Sequence, residues 1–502
     1  MTAISGNKPR RLYTLALWGA LFLLLQSLLL LFSQNDFQLK TNLIVQLVAL
    51  AAFAFFSKNA AHTYLNAPLV FAGSIFIWHS TFLLGYYFDL APIFEFPGDT
   101  FDIGFDHIYK ATALVGLSLA LTIVGMLWGY KREKRAAEAS PALIAVGRAR
   151  FSTLGPAAKR VVWYLLGGMT LVLLLFFFRE GRGLFERTYL EFYQQDNLSL
   201  VATVFYRSEY VWAFVIVLAV AYYKDSSRMR VFIACAISAT AVLLAMLGPR
   251  TGPFLCLATL LLSWDCFVQH VKSRWIGAFV LFLAAASYVI GAGRETGIGA
   301  HVFQFGDTGR EKLELLDLFS EQGKSIAVVL RTIEFTQRGG AAFGRTFLDA
   351  AISVVPLPVL NFLGYKFAPS LTGFVVDSSP NSIIYAGPGS SLVAEFYYNF
   401  GILGCLGFMA IGWFIAKSYF TFIFWGDIFS GVQAATVASM YTAMMRNDFA
   451  SSFRLILYAL IILYILRKKR QGSMSQVLSG PGRYSQWIPA QRSKPMLADG
   501  EA

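Results

Sequence analysis

The chain has 502 residues, 56% of them hydrophobic and 14% charged, and its mean hydropathy is +0.57. A soluble domain carries about 25% charged residues, so this composition excludes one and points to a polytopic membrane protein. The formal net charge of +13 does not indicate nucleic acid, because the basic residues gather at the ends of apolar segments.

Twelve apolar spans are predicted: 12–32, 42–57, 67–88, 108–130, 161–178, 200–223, 231–248, 253–270, 275–292, 389–416, 428–445 and 449–466. A helix needs about 20 apolar residues to cross roughly 30 Å of hydrocarbon, so 42–57 and 253–270 are near the short limit. The first span, Leu12 to Phe32, is too long for a signal-peptide core and reads as a retained helix. Residues 417–430 read as an interfacial helix or as a longer eleventh span. Cys235, Cys256, Cys266 and Cys405 all fall in apolar spans and read as small core residues, with no disulfide.

Lys and Arg set the expected orientation. With Lys8, Arg10 and Arg11 in the cytoplasm, 25 of the 42 basic residues fall on the inner side, and both termini are inside. Of the 17 left outside, 12 are Arg. The acidic loop 89–107 also falls outside. The largest non-spanning segment, 293–388, is expected to be a periplasmic loop. Within it, 310–322 is predicted as an amphipathic helix lying on the membrane, with Leu313, Leu316 and Phe319 in its apolar stripe. A second helix is predicted over 325–338 and is stopped by Gly339 and Gly340. Residues 344–360, with Pro356 and Pro358, suit a re-entrant or interfacial segment. The polar tail after Gly472 is predicted to be disordered. The expected organisation is a membrane-embedded domain over 1–472 and a cytoplasmic tail over 473–502. No internal repeat is visible.

Several outer arginines lie in or at the lip of apolar spans, where a charge costs at least roughly 2.5–3.5 kcal/mol on insertion scales. Such a charge needs a protein partner or a bound ligand, and Arg suits a bidentate grip on phosphate. GPRTG (Gly248 to Gly252) pins Arg250 at the tip of a short turn. GAGRETG (Gly291 to Gly297) places Arg294 and Glu295 among glycines. Arg331, Glu334 and Arg338 share one helix face. Arg446 and Arg454 flank the last outer loop, and Arg207 can pair with Glu209. The plain alternatives are interfacial arginines that snorkel to headgroups and surface ion pairs. Glu395 and Asn399 stand one turn apart at the start of a span. Glu395 reads either as a general base or as the counter-ion of an arginine. Asp99 and Asp102 are spaced D-x-x-D rather than D-x-D, so no nucleotide-sugar metal site is expected, and no cofactor. Tyr189, Phe192, Tyr193, Phe303 and Phe305 suit either stacking on sugars or interfacial anchoring.

Three features together resemble the bacterial O-antigen polymerases of the Wzy type: GPRTG between two middle spans, a large outer loop, and G-x-x-S-L-V-A-E-F-Y-Y-N-F-G-I-L-G. GRTFLDAAISVVPLP resembles the stretch that precedes that motif in those enzymes. In residues the resemblance covers about 248–252, 291–297 and 344–404. It implies an all-α, GT-C-like membrane enzyme that performs metal-independent glycosyl transfer on the periplasmic face of the inner membrane. Donor and acceptor would both be oligosaccharides on undecaprenyl diphosphate, and membrane lipids, a chain-length regulator and a flippase would be partners. On this reading Arg250, Arg294, Arg331, Arg338 and Arg454, with Arg207 and Arg446, are candidates for the diphosphate. Glu295, Glu334, Glu395 and His301 are candidates for proton transfer. The related O-antigen ligases rely on a histidine in the large loop, for which only His301 is available here. A transporter or flippase of lipid-linked oligosaccharide would need charges accessible from both faces, and usually repeats.

Overall fold

The computed structural model describes residues 7–88, 105–141, 144, 152–184, 209–246, 251–292, 323, 325–355, 357–365, 390–445 and 449–478. Among these residues there are helices and no strand. In chain order the helices are α1 (Asn7–Ser33), α2 (Asp36–Ala61), α3 (Ala67–His79), α4 (Thr81–Tyr87), α5 (Phe105–Ala139), α6 (Pro156–Leu184), α7 (Glu209–Tyr222), α8 (Ser227–Met246), α9 (Thr251–Phe267) and α10 (Ser273–Ala292). They continue with α11 (Ile326–Gly339), α12 (Arg345–Ile352), α13 (Leu357–Phe362), α14 (Leu392–Phe400), α15 (Cys405–Trp425), α16 (Ile428–Met444) and α17 (Phe449–Leu478).

Each predicted span falls on one or two of these helices. Among the described residues, six candidates are long and apolar enough to cross a membrane: α1, α2, α5, α6, α8 and the run Leu392–Trp425. α3 and α4, bent by 44° at Ser80, make a seventh if counted as one span. α7, α9 and the part of α10 over Ser273–Leu283 are apolar but shorter. In α5, 83% of the apolar stretch is buried, against 17% in α6, so α5 lies inside the bundle and α6 at its periphery.

Local signals set the helix ends. Asn35 and Asn66 cap α2 and α3 by accepting from Gln38 and Leu69. α11 ends at Gly340, in the left-handed region at φ 84°. Residues 417–425 are neither an interfacial helix nor part of the eleventh span. They are the end of α15, because nothing in KSYFTFIFW breaks a helix before left-handed Gly426. Asp427 then caps α16. α17 runs past Gly472 to Leu478, into the segment expected to be tail. The predicted helix at 310–322 lies outside the described residues.

The tightest seam is between α5 and α15. A Cβ on Gly125 would fall 2.1 Å from the Met409 carbonyl oxygen, and one on Gly412 would fall 2.5 Å from that of Thr122. One turn along α5, a Cβ on Gly129 would fall 2.9 Å from the Lys417 backbone nitrogen. Small residues four apart let two membrane helices approach backbone to backbone.

The bundle has two distinct ends. At one, Arg467 pairs with Asp427 at 2.9 Å, Arg470 donates to Thr153, Lys224 donates to the Ser152 carbonyl, and Thr63 donates to Asp265. Tyr13, Phe56 and Tyr130 pack there too. These are the segments the Lys and Arg count groups together, and this end is called the basic end below. At the other end Tyr109 donates to Asp36, His107 meets Gln337, and Tyr458 donates to the Val354 carbonyl. α11, α12 and α14 gather at this second end.

Candidate functional site

α14 begins with Ser391, whose hydroxyl accepts from the Ala394 amide, and Glu395 lies in its first turn. A helix N-terminus favours an anion, which is why a carboxylate that is only 2% exposed is tolerated there. The Thr346 hydroxyl donates to Glu395 Oε1. Asn399 Nδ2 reaches the Thr346 hydroxyl at 2.7 Å and the Glu395 backbone carbonyl at 2.8 Å, and the Thr346 amide donates to Asn399 Oδ1 at 3.3 Å. This clasp ties α12 to α14 across 49 positions of sequence. The turn at Phe343 and Gly344, both at positive φ, aims α12 at it. Around it Phe347 packs on Phe396, Phe400 and Phe449 at centroid distances of 4.9, 5.3 and 4.3 Å. Water is excluded, so the polar groups inside depend on one another.

A second polar chain holds the same helix from behind. His79 Nδ1 donates to the Ile75 carbonyl at 3.0 Å, and Nε2 accepts from the Ser391 hydroxyl at 2.8 Å. The neighbouring Ser80, at the bend between α3 and α4, donates to Gln46 at 2.6 Å. Gln46 donates to Asn42, and Asn42 to Ser27. All these groups are buried. In an apolar environment each unmade bond would be costly, so the chain fixes the packing of α1, α2 and α3 and the cap of α14 together.

Arg331, Glu334 and Arg338 share a face of α11, as the spacing predicts. Arg331 Nη1 contacts Glu334 Oε2 at 3.1 Å, and Arg338 Nη2 contacts Oε1 at 2.8 Å. Both carboxylate oxygens are therefore held by guanidinium groups. Arg338 is 80% exposed on its side chain, whereas Arg331 is mostly buried. The α11 face is joined to α14 through Phe335 on Tyr398 and through the Ala342 amide, which donates to the Tyr398 carbonyl. Arg454 Nη1 lies 3.5 Å from the Ser353 carbonyl at the end of α12, where a cation complements the helix dipole. Beyond α12, the Tyr365 hydroxyl donates to the Asp349 carboxylate, whose proximity pushes the Tyr365 phenol up.

The structure thus brings Arg331, Glu334, Arg338, Glu395 and Arg454 to one end of the bundle. Arg207, Arg250, Arg294, Arg446, Glu295 and His301 lie outside the described residues. The sequence reading missed Thr346, Ser391 and His79. A histidine inside an apolar span was the available signal for the last of these. Among the described residues no three His, Cys, Asp or Glu side chains converge as metal ligands. Two cavities, of about 500 and 460 Å³, open at the basic end rather than beside Glu395.

A family model described as O-antigen polysaccharide polymerase Wzy matches residues 16–470, nearly the whole chain. No curated protein and no solved structure matches it.

Proposed function

The chain belongs to the O-antigen polysaccharide polymerase Wzy family, and we propose that it joins undecaprenyl-diphosphate-linked repeat units at the end of the bundle that holds Glu395. The family match over residues 16–470 carries this reading. It is supported by the gathering of Arg331, Arg338, Glu395 and Arg454 at the end opposite the basic segments. The basic end faces the cytoplasm with both termini, and the Glu395 end faces the periplasm across the inner membrane, through twelve spans with a GT-C-like arrangement. The membrane domain covers 1–472, and 293–388 forms its periplasmic loop.

In the reaction, a hydroxyl oxygen of the acceptor repeat unit attacks the anomeric carbon of the donor's reducing-end sugar. The bond from that carbon to the lipid diphosphate breaks, and the diphosphate leaves with the electron pair. The hydroxyl proton passes to a base. Arginines neutralise the leaving group without a divalent cation. Arg250 and Arg294 hold the diphosphate, assisted by Arg331, Arg338 and Arg454 and flanked by Arg207 and Arg446. Glu334, whose oxygens are both occupied by guanidinium groups, orients Arg331 and Arg338 rather than taking the proton. Glu395 positions α12 against α14. Glu295 and His301 are the groups left for the base. Chain length is set by a separate partner, and a flippase supplies the units.

The function is tested by incubating the purified protein with undecaprenyl-diphosphate-linked repeat units in EDTA, without nucleotide sugars. A ladder spaced by one repeat unit is the expected product. Unchanged substrate would overturn metal-independent polymerisation, and transfer to an added lipid A-core acceptor would instead indicate a ligase. Within the same assay, Arg331→Ala should lower kcat/KM for the repeat unit about tenfold, as the loss of one charge-assisted contact to the leaving diphosphate requires.

A further inference from the structure

The basic end, opposite the end that holds Glu395, carries a polar cavity. Its volume is about 460 Å³, and Glu133, Lys417, Asp427, Ser430, Gln433 and Arg467 line it. Three of its walls are already satisfied. Asp427 accepts from the Ser430 hydroxyl at 2.7 Å and pairs with Arg467 at 2.9 Å, and Gln433 donates to Ser418 at 3.1 Å. The other two charges are not paired with each other or with any other charged group among the described residues. Glu133 is only 8% exposed and has no described hydrogen-bond or ion-pair partner. The Lys417 ammonium rests over the Trp413 ring, 5.0 Å from its centroid, and makes no ion pair among the described residues. The glycine seam causes this arrangement. Gly129 seats α5 directly on the Lys417 backbone, and Glu133 follows one turn later on the same face.

A buried carboxylate and an ammonium facing one cavity, each without an ionic partner, suit a ligand that carries both opposite charges. The depth of the cavity narrows the class. Exposed Trp128 and Tyr464 lie on α5 and α17, which line the cavity, and exposed Trp163 on the adjoining α6, toward the same end, as an aromatic belt at the headgroup level does. Phe414 and Trp425 add an apolar wall. We propose that this cavity holds the headgroup of a zwitterionic phospholipid bearing a primary ammonium, the phosphoethanolamine class. The ammonium donates to Glu133, and the phosphodiester lies against Lys417 on the side of Arg467. A quaternary choline has no N–H to give Glu133, and a glycerol headgroup has no cation, so both are disfavoured.

The test uses the full-length protein, delipidated in mild detergent and offered equal amounts of phosphatidylethanolamine, phosphatidylcholine and phosphatidylglycerol. Bound lipid is read by native mass spectrometry. Phosphatidylethanolamine should be held about tenfold over either competitor, the discrimination that one charge-assisted hydrogen bond provides. Glu133→Gln, nearly isosteric, should erase its advantage over phosphatidylcholine, and Lys417→Met should weaken all three. Equal retention by the unaltered protein would overturn the site, as would a preference for phosphatidylglycerol. Because the three lipids are compared on the unaltered chain, a variant that fails to fold does not spoil the result. A preference that survives in a folded Glu133→Gln protein would also overturn the assignment.

Discussion

Glu395→Ala is expected to cut polymer synthesis at least about a hundredfold, while Glu395→Gln stays within about tenfold of the unaltered chain. The difference follows from what the carboxylate does in the clasp. Thr346 donates to Glu395 Oε1, and Asn399 bonds both Thr346 and the Glu395 backbone. Glutamine keeps a side-chain oxygen where Oε1 stands, so the Thr346 hydroxyl retains its acceptor. Alanine leaves the buried Thr346 hydroxyl without the acceptor that Glu395 Oε1 provides, at about 1–3 kcal/mol, and opens a void where the carboxylate stood. α12 then loses its register on α14. A displacement near 1 Å can cost about a hundredfold in rate when reacting groups are held by the moved elements. A general base would behave otherwise, because an amide cannot take the hydroxyl proton, and Gln would be as inactive as Ala. Initial rates of ladder formation, beside melting temperatures of both variants in detergent, separate the two roles. Thr346→Val, which removes the donor from the other side of the same bond, should resemble Glu395→Ala in rate. A Glu395→Gln protein that melts normally but makes no ladder would move Glu395 from positioning to proton transfer.

The parts of this fold that were legible in the sequence are those with a local signature. Long apolar runs place the helices because lipid admits little else. The Lys and Arg distribution groups connections that meet at one end of the bundle, where Lys224 donates to the Ser152 carbonyl and Arg470 to Thr153. The i, i+3 and i+7 spacing put Arg331, Glu334 and Arg338 together, and Glu334 does hold both arginines. What escaped is what depends on distant partners. Thr346 reads as an ordinary helix residue until it meets Glu395, and His79 finds Ser391 across 312 positions. Arg454 reads as a phosphate ligand by its depth in a span, yet its described contact is a carbonyl at the end of α12. Residues 417–425 lack any breaker, so hydropathy alone cannot say to which neighbouring span they belong. The glycines of α5 give no local sign of the seam, since in isolation a helical glycine signals a weak helix rather than a contact.

Those glycines give the second large effect. Gly125→Ala and Gly412→Ala should each lower stability by about 1–3 kcal/mol and abolish the ladder, whereas Gly168→Ala should be neutral or slightly stabilising. All three replace a helical glycine with the best helix former, so propensity predicts a gain at every site. Space decides the sign. At Gly168 nothing lies within 4 Å of the added methyl. At Gly125 the methyl would stand 2.1 Å from the Met409 carbonyl oxygen, and at Gly412 2.5 Å from the Thr122 carbonyl oxygen. Backbone atoms cannot rotate aside as a side chain does, so α5 and α15 must separate. The consequence reaches the site through the chain itself. α15 continues upstream through the 3₁₀ turn at Gly401–Gly404 into α14. Gly404 and Gly407 are packed on Phe396, next to Glu395, with 2.2 Å and 2.1 Å left for a Cβ. Moving α15 outward therefore drags α14 and pulls Glu395 from Thr346. Melting temperatures and ladder formation should fall together for Gly125→Ala and Gly412→Ala. If Gly125→Ala melts with the unaltered chain, α5 and α15 do not touch along this seam, and the rigid support assigned to Glu395 must come from the His79 and Ser391 side instead.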